Sequence, residues 1–294
     1  MKCFYHSADL DGHCSGAIIK YKYRTCDLVP INYGDPFPWD IINYKETVYM
    51  VDFSLQPFSD MIKLKQTSGD LIWIDHHKTA IQAWMESNCD FKGIRIDGQA
   101  GCELVWDHCF TSPRPRVVNL LGRYDVWDHD GWPDVLPFQY GLRLEDTDPR
   151  TSMNLWRALF EDDNRCSNFV LMGETVLRYE SQTNTKFCKA YAFETLMPIN
   201  PNPMGDALGS QRHLRAICAN KGFTNSKLFD SLWNPEKYAI MITFCRLPMR
   251  KGLWTVSLYS DHLDVDCGAI AKAFGGGGHK GAAGFQCQEL PFEI

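Results

Sequence analysis

The chain is short of the features that would place it in several common classes. Its twelve cysteines include no Cys-x-x-Cys pair, so nothing in it resembles a zinc ribbon or a disulfide framework. They read as free thiols in a reducing cytoplasm, several of them filling cores. Long apolar runs are missing too. Stretches such as Tyr238 to Phe244 are far shorter than the roughly 20 residues a membrane-spanning helix needs, so no membrane partner is expected. With a strand candidate, Cys3-Phe4-Tyr5, almost at the first residue, no signal peptide is expected either. Positive charge is in deficit. Lys and Arg number 30 against 36 Asp and Glu, a formal net charge of −6, which argues against a sequence-blind grip on long nucleic acid. A short nucleotide stays open, because bound metal ions would supply local positive charge. There is no internal repeat, and no low-complexity tract beyond four glycines near the C-terminus. At 294 residues with 45% hydrophobic content, the chain has room for two domains with real cores.

What the chain does have is acid at the ends of apolar stretches. Lys2 to His6 reads as a strand and runs into Asp9-Leu10-Asp11-Gly12. Thr47 to Val51 runs into Asp52, and Asp70 to Ile74 runs into Asp75-His76-His77. Helical patterns at Ser15 to Tyr23 and at Pro57 to Gln66 lie between them, the second with proline near its start. Such alternation predicts an α/β fold with a parallel sheet covered by helices, and ligands in such sheets collect at the carboxyl ends of strands. Three acidic strand ends in succession make chance a poor account.

Cys102 to Phe110 and Pro115 to Tyr124 look helical and lead to Asp125. Asp128 to Asp148 reads as an irregular loop region, Ser152 to Tyr191 as mostly helical. Pro198 to Gly209, with its Asn-Pro pairs, breaks that pattern. Strand candidates then follow at Leu214 to Cys218, Tyr238 to Phe244 and Trp254 to Tyr259. The expected organisation is a metal-binding catalytic domain over 1–150, a helical linker over 151–195 and a smaller α/β substrate-binding domain over 196–294.

Hard carboxylate oxygens and imidazole nitrogens gathered from several strand ends are what a pair of divalent ions requires. Such a site needs one central bridging acid and several terminal ligands. Asp52, alone at the end of a middle strand, suits the bridge. Asp9 and Asp11 are placed to flank it from one loop, with Gly12 allowing a tight turn. His76 and His77 are adjacent and point in different directions, so one can ligate metal while the other faces substrate. Each element taken singly has a bland alternative: Asp-x-Asp-Gly is often a turn or helix cap, and Asp125 could equally cap the next element.

Together these motifs resemble the DHH family of phosphoesterases, which is named after the tripeptide found here as Asp75-His76-His77. The first family motif resembles His6 to Gly16, the second Val51-Asp52-Phe53-Ser54, and the fourth Asn119 to Asp125. The resemblance implies that Asp9 and Asp52 hold one metal ion, and that Asp11, Asp52, His76 and Asp125 hold a second. It implies that His77 contacts the scissile phosphate, which makes His77 and Asp52 the expected catalytic residues. Manganese is the usual metal, with Mg2+ the alternative. Many members place the leading histidine four residues before the first aspartate. Here His6 stands three before Asp9, which leaves its place as a ligand open. Asp128 and His129 are candidates to support the site from behind.

The glycine run Gly275, Gly276, Gly277, Gly278 leads into His279-Lys280-Gly281-Ala282-Ala283-Gly284. A glycine string alone is usually a flexible loop, but this one follows a helical stretch and precedes small residues, as in a turn whose N–H groups face an anion. The sequence around it is similar to the substrate-binding motif of the DHH-associated C-terminal domain. That implies that Gly275 to Gly278 and His279 grip a nucleotide or terminal phosphate. Members that cleave short oligonucleotides often carry an arginine in the preceding strand, where this chain has Ser257-Leu258-Tyr259-Ser260. Arg215, Arg246 and Arg250 are candidate substitutes, and Trp127, Trp132 and Trp254 candidate base-stacking residues. The resulting expectation is a metal-dependent phosphodiesterase that converts short oligonucleotides or dinucleotides to mononucleotides. A phosphatase acting on small bisphosphorylated nucleotides and a non-catalytic nucleotide-binding module are the alternatives. Family members are often dimers and the sequence carries no interface signature, so a homodimer stays open.

Overall fold

A computed structural model describes residues 1–200, 212–248 and 252–294. The chain divides into two compact units, Met1–Leu177 and Arg178–Ile294. In the first, β1 (Lys2–His6), β2 (Asp27–Ile31), β3 (Thr47–Val51) and β4 (Asp70–Ile74) pair in the order β2-β1-β3-β4, every neighbour parallel. The three strands singled out from the sequence are the three adjacent ones, which lines up their acidic ends.

The inner strands are buried on both faces, as near-continuous apolar runs in parallel sheets are. Alternate residues divide between two layers. Cys3, Tyr5, Tyr49 and Val51 join a core with helices α1 (Leu10–Lys22), α4 (Gly101–Cys109), α5 (Arg116–Asp125), α6 (Val135–Leu142), α7 (Met153–Glu161) and the start of α8 (Asn164–Tyr191). Phe4, Val48, Met50 and Trp73 face the other way, onto α2 (Ser59–Thr67) and α3 (Lys78–Ser87). Trp156, Leu159 and Cys166 from α7 and α8 are fully buried in the first of these cores. The stretch 151–177 therefore contributes to the first unit's interior, while Cys188 packs in a core of the second, and the division between units falls within α8.

The second unit carries β5 (Phe193–Pro198), β6 (His213–Asn220), β7 (Ile240–Leu247), β8 (Leu253–Tyr259), α9 (Cys267–Ala273), β9 (Gly277–Gly278) and β10 (Ala282–Cys287). Its sheet order is β5-β6-β7-β8-β10-β9, antiparallel except where β6 meets β7. The α/β class expected from the sequence is the observed one.

Three local expectations differ. The first helix starts at Leu10, not Ser15. Asp9 is its N-cap, accepting from Gly12 N at 2.9 Å, and Asp11 sits in its first turn, so the two acids do not share a loop. Gly12 is helical and serves close packing: a Cβ there would lie 1.9 Å from the His6 carbonyl oxygen. Within the supposedly irregular 128–148 stretch, α6 forms despite Pro137. That proline is its third residue, in the first turn, where a missing N–H costs no helical bond.

Candidate active site

Parallel strands end at the same edge of the sheet, and the polar residues converge there. Three groups of ligand-type atoms lie within 4.8 Å of one another: His6, Asp9 and Asp52; Asp52, His76 and His77; and Asp11, His76 and Asp125. His76 Nε2 is the focus of the last. It lies 3.2 Å from Asp52 Oδ1, 3.4 Å from Asp125 Oδ2 and 3.7 Å from Asp11 Oδ2. On the other side His6 Nδ1 lies 3.3 Å from Asp9 Oδ2 and 3.6 Å from Asp52 Oδ2. Asp52 therefore turns one carboxylate oxygen to each group. Its backbone is left-handed, φ +53°, a conformation that costs an aspartate on the order of 1–2 kcal/mol and is typically retained at functional sites.

Asp11 is held by the start of α4. Gly101 N and Cys102 N donate to its two oxygens at 2.8 and 2.7 Å, a helix N-terminus receiving an anion. A side chain at 101 would not fit, because its Cβ would sit 2.8 Å from Asp52 Oδ1 and 2.9 Å from Asp11 Oδ2. Asp75, fully buried, takes no place among the converging atoms. Its Oδ1 accepts from His76 N, His77 N and His77 Nδ1 at 2.7, 3.1 and 2.7 Å, and its Oδ2 accepts from the Trp73 indole at 3.2 Å. With Nδ1–H committed to Asp75, His77 is left with Nε2 for the solvent side, the usual device by which a carboxylate fixes a histidine tautomer.

Charge crowding sets the proton affinities. Burial raises Asp11 well above the usual carboxylate range, and Asp52 and Asp125 push it in the same direction. Asp125 is raised to about 6 by burial and by Asp52. Burial also disfavours the charged form of Asp52, but the close imidazoles of His6 and His76 outweigh it and hold that carboxyl below its ordinary value. Burial lowers His6 and His76, yet Asp52, together with Asp9 for His6 and Asp11 for His76, raises both to about 10. Even so, His6 Nδ1 and Asp52 Oδ1 are buried without a hydrogen-bond partner. Buried polar atoms are seldom left so. Two orphaned ligand atoms beside four further carboxylate and imidazole donors fit divalent cations well.

Other sequence candidates are placed differently. Asp128 turns to Arg123, and His129 stacks between Tyr124 and Trp127; neither joins the cluster. Trp127 is 76% exposed, Trp132 lies under Arg123, and Trp254 packs on Phe244. In the second unit Gly275 and Gly276 donate their N–H groups to Lys272 and Ala271 at the end of α9, and His279 N donates to Ala282 O. Those three amides are used in closing the helix and the hairpin, while Gly277 and Gly278 pair with β10 and the His279 side chain is exposed. Arg215 pairs with Glu194, Arg246 donates to Gly252 O, and Arg250 lies outside the described residues.

Tyr33 was not picked out from the sequence. Its ring lies 5.7 Å from His6, 6.2 Å from His77 and 4.5 Å from Phe53. Burial, then Asp75 and Asp52, push its phenol upward, so it stays a hydrogen-bond donor at the rim.

No family model matches the chain. The uncharacterized protein R106 of Acanthamoeba polyphaga mimivirus is 22% identical over 312 residues, which cover 98% of this chain and 69% of that protein. Among solved structures, the pGpG-specific phosphodiesterase PggH from Vibrio cholerae superposes with a TM-score of 0.56 over 97% of this chain and 92% of its own, at 13% identity. The two proteins share a fold. In this chain that fold sets the converging acids at the carboxyl edge of the four-stranded parallel sheet.

Proposed function

We propose that the protein is a metal-dependent phosphoesterase, and that its reaction is hydrolysis of short oligonucleotides or dinucleotides to mononucleotides. The observation that carries this is the division of Asp52 between two donor groups, one with His6 and Asp9, the other with Asp11, His76 and Asp125. Two adjacent sets sharing one carboxylate are the donor pattern of a two-ion phosphoryl-transfer site. His6, left open by its spacing, is proposed as a ligand of the first set, supported by its closeness to Asp9 and Asp52. The fold shared with a pGpG phosphodiesterase supports a dinucleotide among the substrates.

In this reading Asp9, Asp52 and His6 hold one divalent ion, and Asp11, Asp52, His76 and Asp125 the other, with Mn2+ the expected metal. The ions would neutralise phosphoryl oxygens and lower the pKa of water. The chain supplies the rest. The Gly101 and Cys102 amides fix Asp11. Asp75 accepts from His77 Nδ1 and, against the lowering effect of burial, raises its pKa, so that His77 as the imidazolium would donate from Nε2 to a non-bridging phosphoryl oxygen. Tyr33, whose ring lies 6.2 Å from that of His77, offers a second donor. Gly275 to Gly278 and His279 are proposed to hold the nucleotide or terminal phosphate of the substrate.

The test is turnover of purified protein with Mn2+ on dinucleotides, oligonucleotides, bisphosphorylated nucleosides and polyphosphate, beside Asp52→Asn. Dinucleotide hydrolysis lost in the variant is the expected result. Preference for a bisphosphorylated nucleoside would replace the diesterase reading with a phosphatase. Tight nucleotide binding with no turnover on any substrate would replace it with a regulatory module.

A further inference from the structure

Helix α1 carries Asp11 in its first turn and ends at Lys22, about 16 Å away along the axis at 1.5 Å per residue. At that far end lies a surface pocket of ≈ 460 Å3 lined by Tyr21, Lys22, Arg24, Phe110, Arg157 and Glu161. Tyr21, Phe110 and Glu161 also line an adjoining hollow of ≈ 600 Å3 that reaches Trp106 and Phe160. The pocket wall is aromatic: Phe110 lies 4.5 Å from Trp106 and 6.0 Å from Tyr21, and Tyr21 lies 5.4 Å from Phe160.

Three cations and one carboxylate meet there, on a chain whose overall balance is negative. Lys22 has a structural task, since it donates to Cys109 O and lies over the Phe110 ring. Glu161 accepts from the Tyr21 hydroxyl at 3.2 Å. Arg24 and Arg157 have no such task. Both are exposed, both act electrostatically on the Tyr21 hydroxyl, and among the described residues neither forms an ion pair or hydrogen bond. With one carboxylate against three cations, the pocket keeps an excess of positive charge, which an anion would offset. Guanidinium groups suit a phosphate, which they can grip in bidentate fashion. The aromatic rings beside them, tilted to one another by 34–58°, offer individual faces on which a base can stack.

We infer that this pocket is a second ligand site, remote from the metal-binding cluster, that takes a nucleotide: phosphate on Arg24 and Arg157, base against Phe110 and Tyr21. The site lies wholly within the first unit and needs no metal, so the inference stands apart from the proposed hydrolysis. In function it would let a mononucleotide, the class of product proposed above, occupy the enzyme away from the reacting centre.

The experiment is calorimetric titration of the full chain with GMP in EDTA, which removes divalent ions from the catalytic cluster. It is repeated with inorganic phosphate and with the Arg24→Ala/Arg157→Ala double variant. Both arginines are exposed, and an unchanged melting temperature will confirm that the variant folds. Expected are saturable GMP binding, at least tenfold weaker binding in the double variant, and inorganic phosphate at least tenfold weaker than GMP. Turnover of a dinucleotide with Mn2+, if the protein shows it, should stay within twofold of wild type at low product. GMP binding that is absent, or unchanged in the double variant, overturns the site. Equal affinity for GMP and inorganic phosphate overturns its assignment to a nucleotide.

Discussion

Replacing Gly101 by alanine probes the metal cluster without touching any proposed ligand. Gly101 opens α4 and donates its N–H to Asp11. Alanine suits a helix better than glycine by at most about 1 kcal/mol, so backbone preference alone favours the variant. Against that, the added Cβ would stand 2.8 Å from both the Cβ and Oδ1 of Asp52, and 2.9 Å from Asp11 Oδ2. Asp52 is buried on a strained backbone and cannot swing freely. Overpacking of this kind costs roughly 1–3 kcal/mol, so the metal-free variant should be between unchanged and about 3 kcal/mol less stable. The larger effect falls on the two carboxylates, which must move apart by some tenths of an ångström. Disturbing the groups that orient metal ligands costs roughly 10–100-fold in affinity, or about 1.4–2.7 kcal/mol. Calorimetric titration of the metal-free protein with Mn2+ reads this directly, and urea unfolding in EDTA gives the stability term separately. A Gly101→Ala protein that binds Mn2+ as tightly as wild type would refute the placement of both acids in one metal cluster.

Further outcomes follow from other contacts. Asp75→Asn removes the acceptor that fixes His77 Nδ1–H; kcat should fall at least tenfold with KM changed less than threefold, and an equal fall in the His77→Ala/Asp75→Asn double variant and in His77→Ala alone would place both on one path. Trp156→Ala deletes a fully buried ring whose indole donates to Thr147 O at 2.9 Å, and should cost roughly 3–5 kcal/mol in urea unfolding. Asp148 accepts from the Tyr5 hydroxyl at 2.8 Å and from Arg150; although burial raises its carboxyl, those donors hold it at about 2. Its native value lies below the unfolded one of about 3.9, so its stabilising contribution is complete above that pH and disappears as pH falls towards 2. The stability gap between wild type and Asp148→Asn should therefore be widest near pH 6 and shrink steadily below pH 4.

The carboxyl edge of the sheet was legible in the sequence because β1 and β3 are inner strands and β4, at the far end of the order, is still largely buried. Burial on both faces forces unbroken apolar runs such as Cys3-Phe4-Tyr5 and Val48 to Val51, and their ends stand out against the polar residues that follow. The edge strand β2, half-buried and carrying Pro30, gave no such run, as is usual for proline at a sheet edge. With β2 unrecognised, the strand-end rule was never applied to Asn32-Tyr33, and Tyr33 was missed. Gly101 was invisible for a different reason: its role is set by the absence of a side chain against Asp11 and Asp52, partners 90 and 49 positions away. Asp75 was seen as part of the tripeptide but was given no role, because only the three-dimensional path of its hydrogen bonds shows that it holds a histidine. In the glycine run, composition suggested open amides, whereas the closing of α9 takes up several of them.

The left-handed backbone of Asp52 has a practical corollary for anyone engineering this chain. Glycine at that position would relax the torsion, so screens that reward only heat tolerance should enrich Asp52→Gly, and with it proteins that gain a few degrees of tolerance but lack the proposed bridging carboxylate. Robustness and chemistry pull this residue in opposite directions, and a selection scheme must demand both at once to keep it.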